Sequence, residues 1–493
     1  MRIFQAKIIV IVAIIVLAIV AVPTVEIHAV GSIPYENYIY SENNGELQFG
    51  PQAYTPSKVI YASNMNVGEL LDPTDIDTDN EGNIYLLDAG NSRILVLNQD
   101  FQLLNTFQGF DNAGVTDNFT EASGLFVDNM YIYIADTEKG RIIILDRNTG
   151  TLVRVVGTPK SDILGKDFLY KPIRLVVDSD RLLYIVSEGT YEGIINLDWD
   201  GKMIGFVGSN TVTASAWDVF WKQFSTKKQR ATMQQFIPQD ISSIDIDNKG
   251  FYYTTMLTAQ NGNMVKRLNP GGSNILRSFS KIPVAGDVIS AGNVKASMFV
   301  DVSCAEDGIY ACLDSANGKI FVYNNDGYLL YTFGAISEQD GGFTVPVALT
   351  WLNDGRIAVL DKSRDNITVF SPTPYANSIK NAIHAQISLD YEGAFKLWEE
   401  VLKLNNGFTL AQLEVGKLYL NQGKFKEAKA VFKGANNKEL YSEALKKQTT
   451  DWIYNNSTWL VISAVLLVVL LLSFPKIKAI YRRNRCSNRK EKL

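Results

Sequence analysis

Between Pro73 and Phe370 the chain repeats one pattern of apolar and polar positions six times, three short apolar runs separated by polar turns. The first copy, Pro73 to Leu97, reads PTDIDTDNEGNIYLLDAGNSRILVL. The others run from Ser123 to Leu145, Ile173 to Leu197, Ser243 to Leu268, Val300 to Tyr323 and Val347 to Phe370. Their richness in Ile, Val, Leu, Tyr and Phe predicts strands buried on both faces. The first turn holds Asn80-Glu81-Gly82, Asn248-Lys249-Gly250, Glu306-Asp307-Gly308 or Asn353-Asp354-Gly355, residues that supply positive φ or side-chain bonding in hairpins. The second turn follows Asp88, Asp136, Asp314 or Asp361, and a cation (Arg93, Arg141, Lys319) opens the third run in three of these. Recurrence at four places predicts turn capping for these Asp residues rather than a site. In the third copy Ser187-Glu188 replaces the Asp.

A fourth run precedes the next copy: Leu103 to Phe107, Leu152 to Val156, Met203 to Val207, Ile275 to Phe279 and Leu329 to Phe333. Four antiparallel strands per repeat make one blade, and a period of roughly 40 to 50 residues signals a propeller or solenoid. Over roughly residues 57 to 372 these copies resemble the NHL repeat family, which implies a mainly β, six-bladed β-propeller. The sixth copy stops at Pro372 and Pro374 one strand short. Val59-Ile60-Tyr61, just before the first copy, is expected to pair with Ile367 to Phe370 and close the ring, since an open edge would otherwise remain. The propeller is assigned residues 30–375.

Apolar runs also mark both ends. Arg2 and Lys7 precede fifteen apolar residues, Ile8 to Val22, the length of a signal-peptide core and short for a span. Residues 1–29 are read as a signal peptide or an N-terminal anchor. A run of sixteen, Trp459 to Phe474, makes residues 457–474 a transmembrane helix. The tail, 475–493, holds eight Lys or Arg and one acid, Glu491, which places it in the cytoplasm. Trp452, Tyr454 and Trp459 fit an interfacial aromatic belt. The expected location is the cell membrane, single-pass, with the propeller outside and the basic tail suited to contact anionic lipid.

Residues 376–454 change to a helical period. Ala382, Tyr391, Ala394, Trp398 and Val401 match Gly416, Phe425, Ala428, Phe432 and Ala435 at an offset of 34. This resembles tetratricopeptide (TPR) repeats, with small residues where helices cross and aromatics filling the gap between pairs. Asn405-Asn406-Gly407 separates the two copies, and a third helix, about Lys438 to Tyr454, is expected to cap them. Such a region serves as a stalk or as a shallow partner surface.

Between the third and fourth copies, residues 211–236 keep helical spacing at Ala216, Val219, Phe220 and Phe224, with Trp217 and Trp221 a turn apart. A helical hairpin inserted there would lie across one propeller face. Its tryptophans either meet a sugar ring or partner chain, or fix the hairpin to the propeller.

Composition removes most chemistry. The chain has two His, His28 and His384, both outside the repeats. That excludes Ser-His-Asp hydrolysis, His acid/base work and His-ligated zinc in the propeller. No P-loop, dinucleotide fingerprint or nucleophile elbow is present. With a net charge of −5 and an outward propeller, no nucleic-acid partner is expected. Three Cys argue against a disulfide scaffold; Cys304 and Cys312, on adjacent strands, form either a bridge or two buried thiols, and Cys486 lies in the tail.

Aligning the copies puts Asp75, Gly124, Arg174, Ser243, Asp301 and Ala348 at one inner-strand position. Asp75, Arg174 and Asp301 there, with Trp217 and Trp221, are the candidate ligand-binding residues. Some six-bladed lactonases hold Ca²⁺ in the channel with Glu, Asn and Asp, so a calcium-dependent lactonase-like hydrolase is the alternative reading. Arg174 argues against it, because the Asp residues would then satisfy Arg174 or backbone amides. The expected function is a membrane-anchored extracytoplasmic binding or scaffold protein, not an enzyme, with no cofactor, catalytic residue or metal. Its partner is a protein or glycan. The resemblance also points to a role accessory to a carbohydrate transporter, whose membrane subunit would then be a partner.

Overall fold

The computed structural model describes residues 33–42, 44–161, 163–164, 168–190, 192–208, 241–258, 262–277, 280–288 and 295–490. Residues 1–29, expected to be a signal peptide or anchor, and the insertion with Trp217 and Trp221 lie outside the described residues.

Six antiparallel sheets form a closed propeller. Blade 1 runs from the inner strand outward as Pro73–Thr78, Ile84–Asp88, Arg93–Leu97 and Leu103–Gln108. Second strands such as Ile84–Asp88, Leu183–Ser187, Tyr310–Asp314 and Ile357–Asp361 are buried at every position, which is why they read as continuous apolar runs. The fourth blade departs from expectation. Among the described residues it has only Ile241–Ile246, Tyr252–Met256 and Val265–Leu268. Residues 275–277, the described part of the expected fourth strand, are not in a strand: one bridge joins Leu268 to Asn274, Ile275 N donates to Arg267 O, and Met264 N turns to Val284 O.

The ring closes through the chain's beginning. Strands β1 (Asn37–Tyr40) and β2 (Leu47–Gly50) form a hairpin, and β3 (Tyr54–Tyr61) becomes the outer strand of blade 6. Ile367 lies opposite Ile60 and Thr368 opposite Val59, as expected, and the pairing continues to Pro372 opposite Tyr54. The β1–β2 hairpin was not legible beforehand. It lies over the outer strand of blade 5, where Tyr38 N donates to Thr332 Oγ1 (3.1 Å) and Thr332 N donates to Asn37 Oδ1 (3.0 Å).

The recurrent Asp residues tie each blade to the segment that enters it. Asp88 and Asp136, both fully buried, accept from Leu71 N and Thr120 N at 2.7 Å and pair with Arg93 and Arg141. Asp314 accepts from Met298 N and Asp361 from Thr344 N. In blade 3 the Ser187 hydroxyl does the same for Lys171 N. Lys319 breaks the pattern and pairs with Asp287 instead of Asp314. Cys304 and Cys312 are free thiols: Cys304 lies opposite Tyr310 and Cys312 opposite Val302, so no bridge forms. Burial pushes both thiols up.

Five helices follow: α1 Pro374–Ile387, α2 Tyr391–Leu404, α3 Thr409–Asn421, α4 Phe425–Gly434 and α5 Lys438–Lys490. Thr373 caps α1 and Pro374 opens it. Ala382, Ala394, Trp398, Val401, Ala428 and Phe432 are buried, as their spacing predicts, and a Cβ on Gly416 would meet the Phe432 ring at 2.4 Å. Tyr391 is the exception. It is 52% exposed, so it fills no gap between helices. The expected third helix and the apolar run are not separate elements: α5 carries both in 53 residues, with Pro475 inside it.

The helices do not stand apart from the propeller. Tyr375, Ile379, Trp398, Phe408 and Leu410 share one core with Tyr54, Tyr331, Phe333, Trp351 and Phe370. In a four-stranded meander, the first and third turns lie at one end of the ring, while the second turns and the blade-to-blade connections lie at the other. Asp307, in the first turn of blade 5, lies 2.7 Å from His384 of α1, so the helices occupy the first end. Val207 and Ile241, the strand ends between which the insertion falls in sequence, lie at the second end.

Candidate functional site

The inner strands build the channel. Each carries the same register shift, so Asp75, Gly124, Arg174, Ser243, Asp301 and Ala348 face Leu87, Ala135, Val186, Thr255, Leu313 and Leu360 in turn. They form one tier. Arg174 Nε lies 3.7 Å from Asp75 and 4.0 Å from Asp301, so these three candidates come together. Period 2 puts the residues two further along on the same face. That second tier holds Asp77 and Asp245, which line the same cavity and were not singled out in the sequence. The alternation itself was the signal that could have found them.

The carboxylates are occupied. Asp75 Oδ2 accepts from Leu125 N (2.7 Å) and Asp77 Oδ2 from Val127 N (2.8 Å), both on the next blade's inner strand. Asp245 Oδ2 accepts from Cys304 N (2.6 Å), and Asp301 accepts from Leu349 N (2.8 Å) and the Ser243 hydroxyl (2.7 Å). Arg174 donates to the carbonyl of Ser123. Each group thus joins inner strands of different blades. Among the described residues no set of three or more His, Cys, Asp or Glu is placed to hold a metal ion. Trp217 and Trp221 fall outside the described residues.

Burial raises all four Asp pKa values. For Asp75 and Asp301 Arg174 opposes the rise, and for Asp77 the Asp245 charge adds to it. Asp245 is pushed up to about 6, against the pull of the Cys304 and Ile246 amides. The folded chain therefore holds this proton to a higher pH than the unfolded chain, and the group's contribution to stability falls as pH rises from about 4 through 6. Asp245→Asn keeps an acceptor for Cys304 N without the charge. It is expected to match the wild type below pH about 4 and to exceed it by about 2–3 kcal/mol at pH above about 7. Thermal unfolding of both proteins across this range checks it; parallel curves would show that Asp245 ionises freely.

A second polar cluster lies outside the channel. Asp287 Oδ1 accepts from the hydroxyls of Tyr38 (2.6 Å) and Tyr40, and Oδ2 from Lys319 Nζ (2.7 Å). Burial first, then Asp287, pushes both tyrosines up. This cluster fastens the β1–β2 hairpin to blade 5.

The geometry defines a closed six-bladed propeller whose channel groups cross-link its blades. No family model matches the chain, and no curated protein matches it. Among solved structures it is similar to a streptogramin B lyase, at 12% identity and a TM-score of 0.39, covering 65% of this chain and 98% of that one. It is also similar to virginiamycin B lyase from Staphylococcus aureus (11%, 0.39, covering 65% and 100%) and to the WD40 β-propeller domain of Doa1 (10%, 0.37, covering 66% and 98%). Likenesses at this level carry no argument about what the chain binds or catalyses; the propeller rests on the strand pairing described above.

Proposed function

We propose that this chain is a membrane-anchored extracytoplasmic binding or scaffold protein, an NHL-like propeller on a TPR-like helical module with a single C-terminal span. The observation that carries this reading is α5. Its start packs with α4, where Ala444 joins the core of Ala428 and Phe432. From Trp459 to Leu472 every residue is exposed, and all but Ser463 are apolar. An apolar surface of that extent calls for lipid rather than water, and the helix is long and apolar enough to cross a membrane. The basic tail argues for a cytoplasmic C-terminus and an outward propeller. The same tail is suited to anionic lipid.

The helices take one end of the ring. The other end, with the insertion's connection and the hairpin Phe110–Asn112/Val115–Asp117, is the proposed partner face. Trp217 and Trp221 are its proposed contacts, and a glycan, a protein or a transporter subunit its proposed partner. Asp75, Arg174 and Asp301 are weaker candidates, since they already bond across blades.

Cys486 tests the topology. The two propeller thiols are raised by burial, so Cys486 is the one expected to react. A membrane-impermeant maleimide should label it only after cells are permeabilised; labelling of intact cells would reverse the orientation. Retention on a glycan array that is lost in the Trp217→Ala, Trp221→Ala double variant would identify a carbohydrate partner.

A further inference from the structure

Three of the turns between the helices hold one residue at positive φ: Leu389 between α1 and α2 (65°), Gly423 between α3 and α4 (73°) and Asn436 between α4 and α5 (51°). Gly and Asn are the usual residues there, because a larger side chain crowds its own backbone. Leucine is not. This one is 67% exposed, and its neighbours Ile387 and Tyr391 are exposed with it. A bulky apolar residue held in a strained conformation and turned outward points to something beyond the module that covers it.

The order of the helices says where that turn lies. Short turns make neighbouring helices antiparallel, so α1, α3 and α5 run in one direction. The ring of Phe395, near the start of α2, lies 5.2 Å from that of Tyr419, near the end of α3. Gly423 and Phe425 line one open groove with Lys447, Thr450 and Asp451 of α5. The α1–α2 and α3–α4 turns are therefore both level with about Thr450, at the end from which α5 leaves for the apolar run. Ser457, where that run is taken to begin, is about 10 Å further along the helix. The polar layer of a bilayer is about 5–7 Å deep, so the remaining gap is within the length of a leucine side chain.

We infer that this end of the helical module rests on the lipid headgroups of the bilayer that its own α5 crosses, with Leu389 and Tyr391 inserted among them. The inference rests on the single-span reading given above. Its occupant follows from continuity: the same helix carries the exposed Trp452, Ile453 and Tyr454 between this level and the span. Exposed lysines flank the surface, Lys424 in the α3–α4 turn and Lys446 and Lys447 on α5, placed to lay their stems along apolar groups and their ammonium heads among phosphates. The turns at the far end are polar, Asn405-Asn406-Gly407 and Asn436-Asn437, as suits turns away from lipid. A second contact beside the span fixes the tilt of the module, and through their shared core the height of the propeller above the membrane.

The test uses the full chain, with Cys486→Ser, reconstituted in phosphatidylcholine vesicles. An environment-sensitive fluorophore is attached at Leu389→Cys, at Asn406→Cys in the opposite turn, or at Leu466→Cys within the span. Lipids carrying a doxyl quencher near the headgroup are expected to lower the emission at 389 about twofold and to leave 406 unchanged, and lipids quenching deep in the acyl chain to act at 466. Leu389→Asn is expected to abolish headgroup-level quenching of a label at Tyr391→Cys. A label at 466 that is not quenched would overturn the span, and this inference with it. Quenching at 466 without quenching at 389, or equal quenching at 389 and 406, would overturn this inference alone and leave the span standing. Shielding of 389 that grows with protein-to-lipid ratio and ignores the doxyl lipid would overturn it in favour of a second copy of the chain.

Discussion

Asp88→Ala is expected to destabilise the propeller by about 3–5 kcal/mol, although Asp88 touches no ligand surface. Its side chain is fully buried. Oδ1 accepts from Leu71 N, and Oδ2 accepts from Arg93 Nε (2.6 Å) and Asn91 Nδ2 (2.8 Å). Truncation leaves Leu71 N and Arg93 Nε without an acceptor, while Asn91 Nδ2 keeps Glu69 O, and it removes the counter-charge of Arg93, whose side chain is only 16% exposed. The damage falls on the entry of the chain into blade 1, because Leu71 lies just ahead of its inner strand. Asp136→Ala should cost less in blade 2, because Thr120 N loses its acceptor while Arg141 keeps its ion pair with Asp117. Asp354→Ala is the contrast. It breaks an exposed pair with Arg356 and should cost under about 1 kcal/mol. Chemical denaturation of the three variants decides the matter: equal midpoints for Asp88→Ala and Asp354→Ala would show that the recurrent Asp does not hold the blade entries.

The same residues show why the architecture was legible and the site less so. A feature repeated six times announces itself, so the blades, the inner-strand ring of Asp75 to Ala348 and the turn Asp residues could be aligned without coordinates. Features that occur once carry no such signal. The β1–β2 hairpin consists of two four-residue strands whose partner, Thr332, lies 294 residues from Tyr38. Asp287 belongs to a stretch outside the repeat, so nothing local marks it as the anchor of two tyrosines and Lys319. Blade 4 differs from the pattern because Ile275 to Phe279 has strand composition, yet among the described residues that stretch bonds to the Val265–Leu268 strand only through Ile275 N–Arg267 O. The helical spacing was readable, but the burial of Tyr375 and Phe408 against Phe333 and Phe370 is a long-range packing event. Channel chemistry fell between these cases. Asp75, Arg174 and Asp301 could be placed in one ring, whereas their bonds to amides of other blades appear only once the blades are side by side.

Ile60→Asp is expected to be at least as damaging, because it strikes the one strand that makes the ring a ring. Ile60 is fully buried and lies opposite Ile367 in the pairing of β3 with blade 6. Its side chain packs with Met65, Ile76, Leu86, Leu95 and Leu360, where blade 6 meets blade 1. A carboxylate there loses the burial of the isoleucine and finds no acceptor-seeking donor among those side chains, a combined cost of about 4 kcal/mol or more. The loss should also be structural. With β3 displaced, Val369 and Phe370 would form an open, apolar edge, and such edges pair between molecules. Lys58→Asp places a carboxylate at an exposed position of the same strand and should cost less than about 1 kcal/mol. Melting monitored by circular dichroism, with size-exclusion chromatography for association, separates the outcomes. If Ile60→Asp melts with the wild type and stays monomeric, closure by β3 contributes little, and the six blades must hold together through their inner-strand cross-links alone. If it melts early and associates while Lys58→Asp does not, the first strand after the hairpin is what commits the last blade to its place.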